Sequence, residues 1–248
     1  MDKNQTAGHL HPISSAILQI REIFAELDFE VAEGPELEDE WHNFDALNVP
    51  KDHPSRDMQD TFWLKQPENS QFLISNSQKE KRFLLRTHTS PVQIRYMKQK
   101  IKEGIKPPYR IIVPGKVFRN EATDTTHEAQ FFQCEGLYVD KEVSLAQLKW
   151  TLLHFFRKYL GQNVEIRLRP SFFPFTEPSV EVDVKFGDKW LEMVGAGLVH
   201  PNVFRVVGLE GYNGFAFGFG LERLLMVKHN IPDIRLFYSG DLRLVNQF

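Results

Sequence analysis

The sequence predicts an α+β fold, a largely antiparallel sheet flanked by helices. Strand-like runs arrive in succession, joined by short turns. Helical periodicity is confined to a few well-delimited stretches, and no glycine-rich phosphate loop sits in a βαβ unit. With 248 residues, 42% hydrophobic and 25% charged, the chain has enough apolar material for a real core, which excludes disorder and fibre. Neither an internal repeat nor a domain boundary is visible. Residues 1–10 therefore read as a polar leader and 11–248 as one domain.

Along the chain, Ile13, Ile17, Ile20, Phe24 and Leu27 recur at helical spacing behind Pro12, a residue tolerated in a helix's first turn. A short strand over 29–34 follows and stops at Pro35. The acidic run 36–40 reads as a solvated turn or helix face, and 48–81 as a long polar loop carrying one apolar piece at 61–64. Ser90-Pro91-Val92-Gln93 has the form of a capping box, ahead of Ile94, Met97 and Ile101 on one helical face. Lys98, Lys100, Lys102 and Lys106 around that helix form a wet face, with phosphate contact as the alternative. Strand-like pieces at 110–113 and 116–119 flank Pro114-Gly115, and the polar loop NEATDTTHE leads into a longer strand over 129–139. A second capping box, Ser144-Leu145-Ala146-Gln147, opens a helix through Leu148, Leu152, Phe155, Tyr159 and Leu160 that Gly161 ends. Strand signals recur at 164–169, 180–184 and 190–194. GFAFGFGLER, 214–223, then alternates glycine with phenylalanine before a last helix over 221–228 that stops near Asn230 and Pro232.

Composition removes several function classes. A formal net charge of −3 means that any contact with RNA comes from local patches or a partner. The single Cys134 permits no internal disulfide, and no apolar run approaches the roughly 20 residues of a membrane helix, so the expected location is the cytoplasm. Gly195-Ala196-Gly197 and Gly218-Phe219-Gly220 begin like a dinucleotide fingerprint, but His200 and Arg223 stand where its third glycine belongs. His127-Glu128 opens a zincin-like motif whose second histidine is replaced by Phe131.

Positive signals converge elsewhere. Period-two alternation over 129–139 puts Phe131, Gln133, Glu135 and Leu137 on one face: a ring, an amide and a carboxylate together. Such a face suits solubility, or a cleft that binds a planar group and an ammonium. Phe118-Arg119-Asn120-Glu121 places a guanidinium at a strand end, where it clamps phosphate or pairs with Glu121. Phe172-Phe173-Pro174-Phe175 is a ring cluster followed by Glu177, Glu181 and Asp183. Arg223, in a helix's first turn, opposes the helix dipole unless an anion or ring binds it.

Together these residues resemble the class II aminoacyl-tRNA synthetases, and among them the α-subunit family of bacterial-type phenylalanyl-tRNA synthetases. Residues through Pro35 resemble motif 1, a dimer interface in that family. VFRNEATDTTHEAQFFQCEGL, 117–137, resembles motif 2, and GFAFGFGLER resembles motif 3. WHNFDALNVPKDHPSRD, LLRTHTSP, RPSFFPFTEPS and GAGLVHPNV are also similar to this family, so the likeness runs from about residue 11 to 248. It implies ATP bound in a bent form, L-phenylalanine activated as an adenylate, and transfer to tRNA(Phe). It implies that Arg119 holds the α-phosphate and the substrate carboxylate, that His127 reaches the outer phosphates, and that Phe131 and Arg223 sandwich the adenine. Glu121 joins this ATP set. His88, Ser90, Gln133 and Glu135 match the positions that receive the phenylalanine ammonium, Phe173 and Phe175 face its ring, and Ala216 and Gly218 form the floor. Mg2+ offsets the phosphate charge, with Glu177 or another nearby carboxylate as ligand.

The family also implies a β subunit that carries editing, an (αβ)2 heterotetramer, and an N-terminal tRNA-binding coiled coil that this sequence begins after. Two other functions stay open at this level. One is a synthetase-like binding module, against which the presence of both Arg119 and Arg223 counts. The other is an adenylate-forming enzyme with a different acceptor.

Overall fold

A computed structural model describes residues 8–57, 60–65 and 82–248. Most of the leader (1–7) and much of the loop expected over 48–81 (58–59 and 66–81) lie outside the described residues. Helix α1 (Pro12–Ala25) is capped by the His11 side chain and buries Ile13, Ala16, Ile20, Ile23 and Phe24. Strand β1 (Glu30–Val31) follows, then β2 (Leu37–Asp39) paired with β3 (Phe83–Leu85), and the short α2 (Glu40–Asn43). Helix α3 (Ser90–Lys102), the long antiparallel pair β4 (Tyr109–Phe118) and β5 (Gln130–Asp140), and α4 (Leu145–Leu160) come next. Strands β6 (Ile166–Phe173), β7 (Thr176–Phe186) and β8 (Lys189–Val199) form a meander; α5 (Pro201–Val207), β9 (Asn213–Gly220), α6 (Leu221–His229) and α7 (Leu242–Val245) complete the chain.

Among the described residues seven strands make one sheet in the order β1-β4-β5-β9-β8-β7-β6, antiparallel except for β1 beside β4. Alternation along the central strands sends side chains into two cores. Phe215, Phe217 and Phe219 pack with Phe24 and Phe155 under α1, α4 and α6. Ile111, Val113, Leu137 and Ala216 face the other way, towards Ile94, Met97 and Phe204 of α3 and α5.

Three expectations are corrected and one helix is added. The acidic run is no solvated face: Glu38 is 1% exposed and its carboxylate pairs with Arg95, and Asp39 caps α2 through His42. Residues 110–119 hold one strand through Pro114, not two. The Ile112 carbonyl, the Lys116 carbonyl and the Phe118 N–H all point away from β5, so the missing proline N–H falls on that side, past the end of β1, and no bond of the β4–β5 ladder is lost. The capping box at Ser90 does not form; Thr89 is the N-cap residue and makes no side-chain cap bond. Helix α5 escaped periodicity because it is seven residues long, although His200-Pro201 at its start is an N-terminal signal. The box at Ser144 forms as expected, with both reciprocal bonds.

Candidate active site

Where β5, β9 and β8 lie side by side, the register places Glu135 opposite Gly218 and Gly218 opposite Gly195, with Ala216 between Leu137 and Gly197. Small residues thus meet at mid-sheet and leave a trough there. A Cβ on Gly218 would come within 2.9 Å of the Glu135 side chain, and one on Gly195 within 2.9 Å of the Phe173 ring. Over this floor opens a cavity of about 860 Å³. The β6–β7 hairpin walls one side with Phe173 and Phe175, whose rings stack at 6.2 Å and 18°, and His88 stands 6.3 Å from Phe175.

Polar groups gather at one end of the cavity on the segment between β3 and α3. Arg86 anchors that segment, its guanidinium donating to the carbonyls of Lys116 (2.8 Å) and Gly34 (3.0 Å), and Asn43 holds Thr87. Glu135 is 7% exposed. Its carboxylate accepts from the Thr89 N–H (2.9 Å), the Ser90 hydroxyl and the Gln93 amide (3.2 Å). Burial pushes the Glu135 carboxyl above the usual range, and the bonds from Ser90 and Thr89 oppose that shift. His88 is held neutral by burial and by the Arg119 cation, its pKa lowered to about 3. Its Nδ1 and the Gln133 amide oxygen are buried without partners among the described residues. Two unsatisfied groups beside a buried carboxylate make a receptor for hydrogen-bond donors.

Arg119, Glu121, Arg223, Glu181 and Glu192 also line the cavity, with Arg119 near enough to His88 and Glu135 to act on both. Arg119 lies 3.8 Å from Glu121 and covers the Phe131 ring at 4.9 Å. Arg223 stays exposed and donates through Nε to the Glu192 carbonyl at 3.0 Å, which turns the cation of α6 across the first turn towards β8. Beside it Glu222 is buried, accepting from the Phe132 N–H (2.8 Å) and the Tyr238 hydroxyl.

The cavity gathers Arg119, Glu121, His88, Ser90, Gln133, Glu135, Phe173, Phe175, Ala216, Gly218 and Arg223, all expected site residues. Three others stand outside its lining. His127 is held in the loop after β4 by Asp124 at 3.0 Å, Phe131 sits behind Arg119, and the exposed Glu177 lies 3.2 Å from His200. Sequence reasoning missed Gln93, read as a helix cap, and Glu192, whose strand gave no sign of facing a site. Asp60, His53 and Ser55 also line the cavity from a polar loop without periodicity, where no sequence signal separates them from solvent-facing residues.

The model of the family described as tRNA synthetases class II core domain (F) matches residues 1–248. The chain is 53% identical over 246 residues to the phenylalanine–tRNA ligase alpha subunit of Rhodopirellula baltica, covering 97% of this chain and 69% of that one. To the protein of the same name from Dehalococcoides mccartyi it is 49% identical over 255 residues, covering 97% of this chain and 70% of that one. Among solved structures, pyrrolysyl-tRNA synthetase from Desulfitobacterium hafniense superposes with a TM-score of 0.70 at 16% identity, covering 92% of this chain and 74% of that one, a likeness of fold.

Proposed function

Because this chain belongs to the class II tRNA synthetase family, among the phenylalanine–tRNA ligase α subunits, we infer that its cavity joins L-phenylalanine to ATP and passes the product to tRNA(Phe). The observation that carries this reading is the cavity itself, which joins ring walls and unsatisfied acceptors to two lining arginines.

Phenylalanine enters ring first, its ring resting against Phe173 and Phe175 over Ala216 and Gly218. Edge-to-face contact there contributes about 0.5–1.5 kcal/mol per ring pair beyond burial. Its ammonium meets the Gln133 amide oxygen and the neutral His88. Glu135 supplies negative charge from below and positions Ser90, since its own oxygens are already bonded. The carboxylate of the amino acid itself is ionised at neutral pH and needs no base. One carboxylate oxygen bonds to the α-phosphorus as the bond to the bridging oxygen breaks, and pyrophosphate leaves with that electron pair. Catalysis of this step is positioning and charge stabilisation, assigned to Arg119 at the α-phosphate. A phosphate that captures Arg119 also uncovers Phe131, so base and phosphate recognition are coupled through that stacked pair. Arg223 closes over the adenine, and His127 reaches the outer phosphates from its loop.

Mg2+ fits the nucleotide end. Glu181 and Glu192 would hold the ion from the cavity wall together with the phosphates, in exchange for their ion pairs with Arg169 at 3.0 and 3.3 Å. Bound there, the ion offsets phosphate charge. Glu177 stands outside that wall, so a ligand role for it belongs to an ion at the cavity's edge.

A pocket with apolar walls rejects an added hydroxyl by only about 10²-fold, so accuracy against tyrosine calls for a second, editing site. We assign that site to a β subunit and the assembly to an (αβ)2 heterotetramer of the cytoplasm. Among the described residues no helix is long and apolar enough to cross a membrane. Phenylalanine-dependent ATP–pyrophosphate exchange tests the activation step, and charging of tRNA(Phe) with and without the β subunit tests the rest. Exchange without charging in the complex would favour an adenylate-forming enzyme with another acceptor.

A further inference from the structure

Two segments, WHNFDALNVP at 41–50 and GAGLVHPNV at 195–203, meet behind the ring wall of the cavity. Asn48 ends a 3-10 turn (Asp45–Leu47) in the left-handed region, φ 58° and ψ 22°, a conformation asparagine adopts more readily than most side chains. Its amide nitrogen donates to the Pro174 carbonyl at 2.7 Å, and its amide oxygen accepts from the Asn202 amide at 2.9 Å. Asn202 is fixed in turn, its oxygen accepting from Arg205 (2.8 Å) and its N–H donating to His200 Nδ1 (3.0 Å). The His200 N–H donates to the next carbonyl of the hairpin, that of Phe175, at 2.9 Å. Both tip carbonyls are therefore gripped from outside, while Ser179 holds the Phe173 N–H from inside at 2.9 Å. Asn48, His200 and Asn202 do not line the cavity.

We propose that the Asn48–Asn202 amide pair is a specificity-determining positioning device: by fixing the Pro174 carbonyl it sets where Phe173 and Phe175 stand, and so how deep the amino-acid end of the pocket is. The inference rests on reading that end as the phenylalanine site. In such a pocket discrimination is set by the slack of the walls, because a ring wall free to retreat admits a para substituent at little cost. The two residues lie 154 positions apart and act on a tip 126 positions from Asn48, so one amide ties three segments together.

Three variants of the chain, each assembled with its β subunit, separate positioning from a merely conformational role in phenylalanine- and tyrosine-dependent ATP–pyrophosphate exchange. Asn48→Gly keeps the left-handed backbone and removes both side-chain bonds. Asn202→Ala removes the shared bond from the other side. Asn48→Asp keeps a side chain suited to that backbone but turns an acceptor towards the Pro174 carbonyl. The expected result is a phenylalanine KM raised about tenfold, the scale of one or two neutral hydrogen bonds, and a phenylalanine-to-tyrosine ratio of kcat/KM lowered about as much. The KM for ATP and the kcat with phenylalanine stay within about twofold, and Asn48→Asp is at least as impaired as Asn48→Gly. Asn48→Asp behaving as wild type, an unchanged ratio in all three, or loss of every parameter together with the melting midpoint would overturn the proposal. No phenylalanine-dependent exchange in the wild-type complex would instead remove the reading of the pocket on which it rests.

Discussion

Ala216 and Gly218 face the cavity from the same strand, but they are small for different reasons. At 218 any Cβ presses within 2.9 Å of Glu135, so Gly218→Ala displaces the carboxylate that Thr89, Ser90 and Gln93 hold. At 216 a methyl group is present and buried at the cavity floor, the place proposed for the substrate ring. Ala216→Gly is expected to raise kcat/KM for para-chlorophenylalanine about tenfold in the exchange reaction with little loss towards phenylalanine, and an unchanged preference counts against the floor assignment. Glu222 offers a test by pH. Burial lifts its pKa from 4.5 to about 7, so between those values the folded chain keeps a proton that the unfolded chain has lost. Stability therefore falls as pH rises through that window and the loss is complete above about 7, by as much as roughly 3 kcal/mol. In urea titrations at several pH values, Glu222→Gln should remove this part of the slope; parallel curves for the two proteins would show that the group does not titrate there.

At the scale of elements, the two capping boxes form a controlled pair. Ser144 and Gln147 close the box at the head of α4, whereas Ser90 and Gln93, the same pattern in sequence, turn their side chains to Glu135. Local pattern was ambiguous because the competing partner lies 45 residues away on another element. Ser144→Ala is expected to cost about 1 kcal/mol of stability and leave exchange kinetics unchanged. Ser90→Ala leaves a buried carboxylate short of a donor and should raise the phenylalanine KM severalfold. Similar KM effects from the two variants would contradict this division. The same contrast marks how far the sequence could be read. α1, α4, β5, β9 and α6 declared themselves by period and by terminal residues. Glu38, by contrast, looked solvated because its partner Arg95 is 57 positions away, and α5 was too short to show a period.

Across the whole molecule, the fold brings residues from 49 to 223 to one trough, and the alternation of glycine with phenylalanine on β9 serves both of its faces. The rings of Phe215, Phe217 and Phe219 anchor the strand against α1 and α4, and Ala216 and Gly218 leave the other face open. That much follows from a two-residue period. What period cannot show is which polar loops reach the trough or what braces the hairpin, because those meetings depend on the path of the chain. The arrangement makes one claim above the rest: Arg119 and the ring-walled pocket together activate phenylalanine with ATP. Phenylalanine-dependent ATP–pyrophosphate exchange, compared between the wild-type complex and Arg119→Ala, measures it directly. Exchange is expected to require phenylalanine and to fall on the order of 10²–10³-fold in kcat in the variant. Exchange independent of phenylalanine, or undiminished without Arg119, would contradict it.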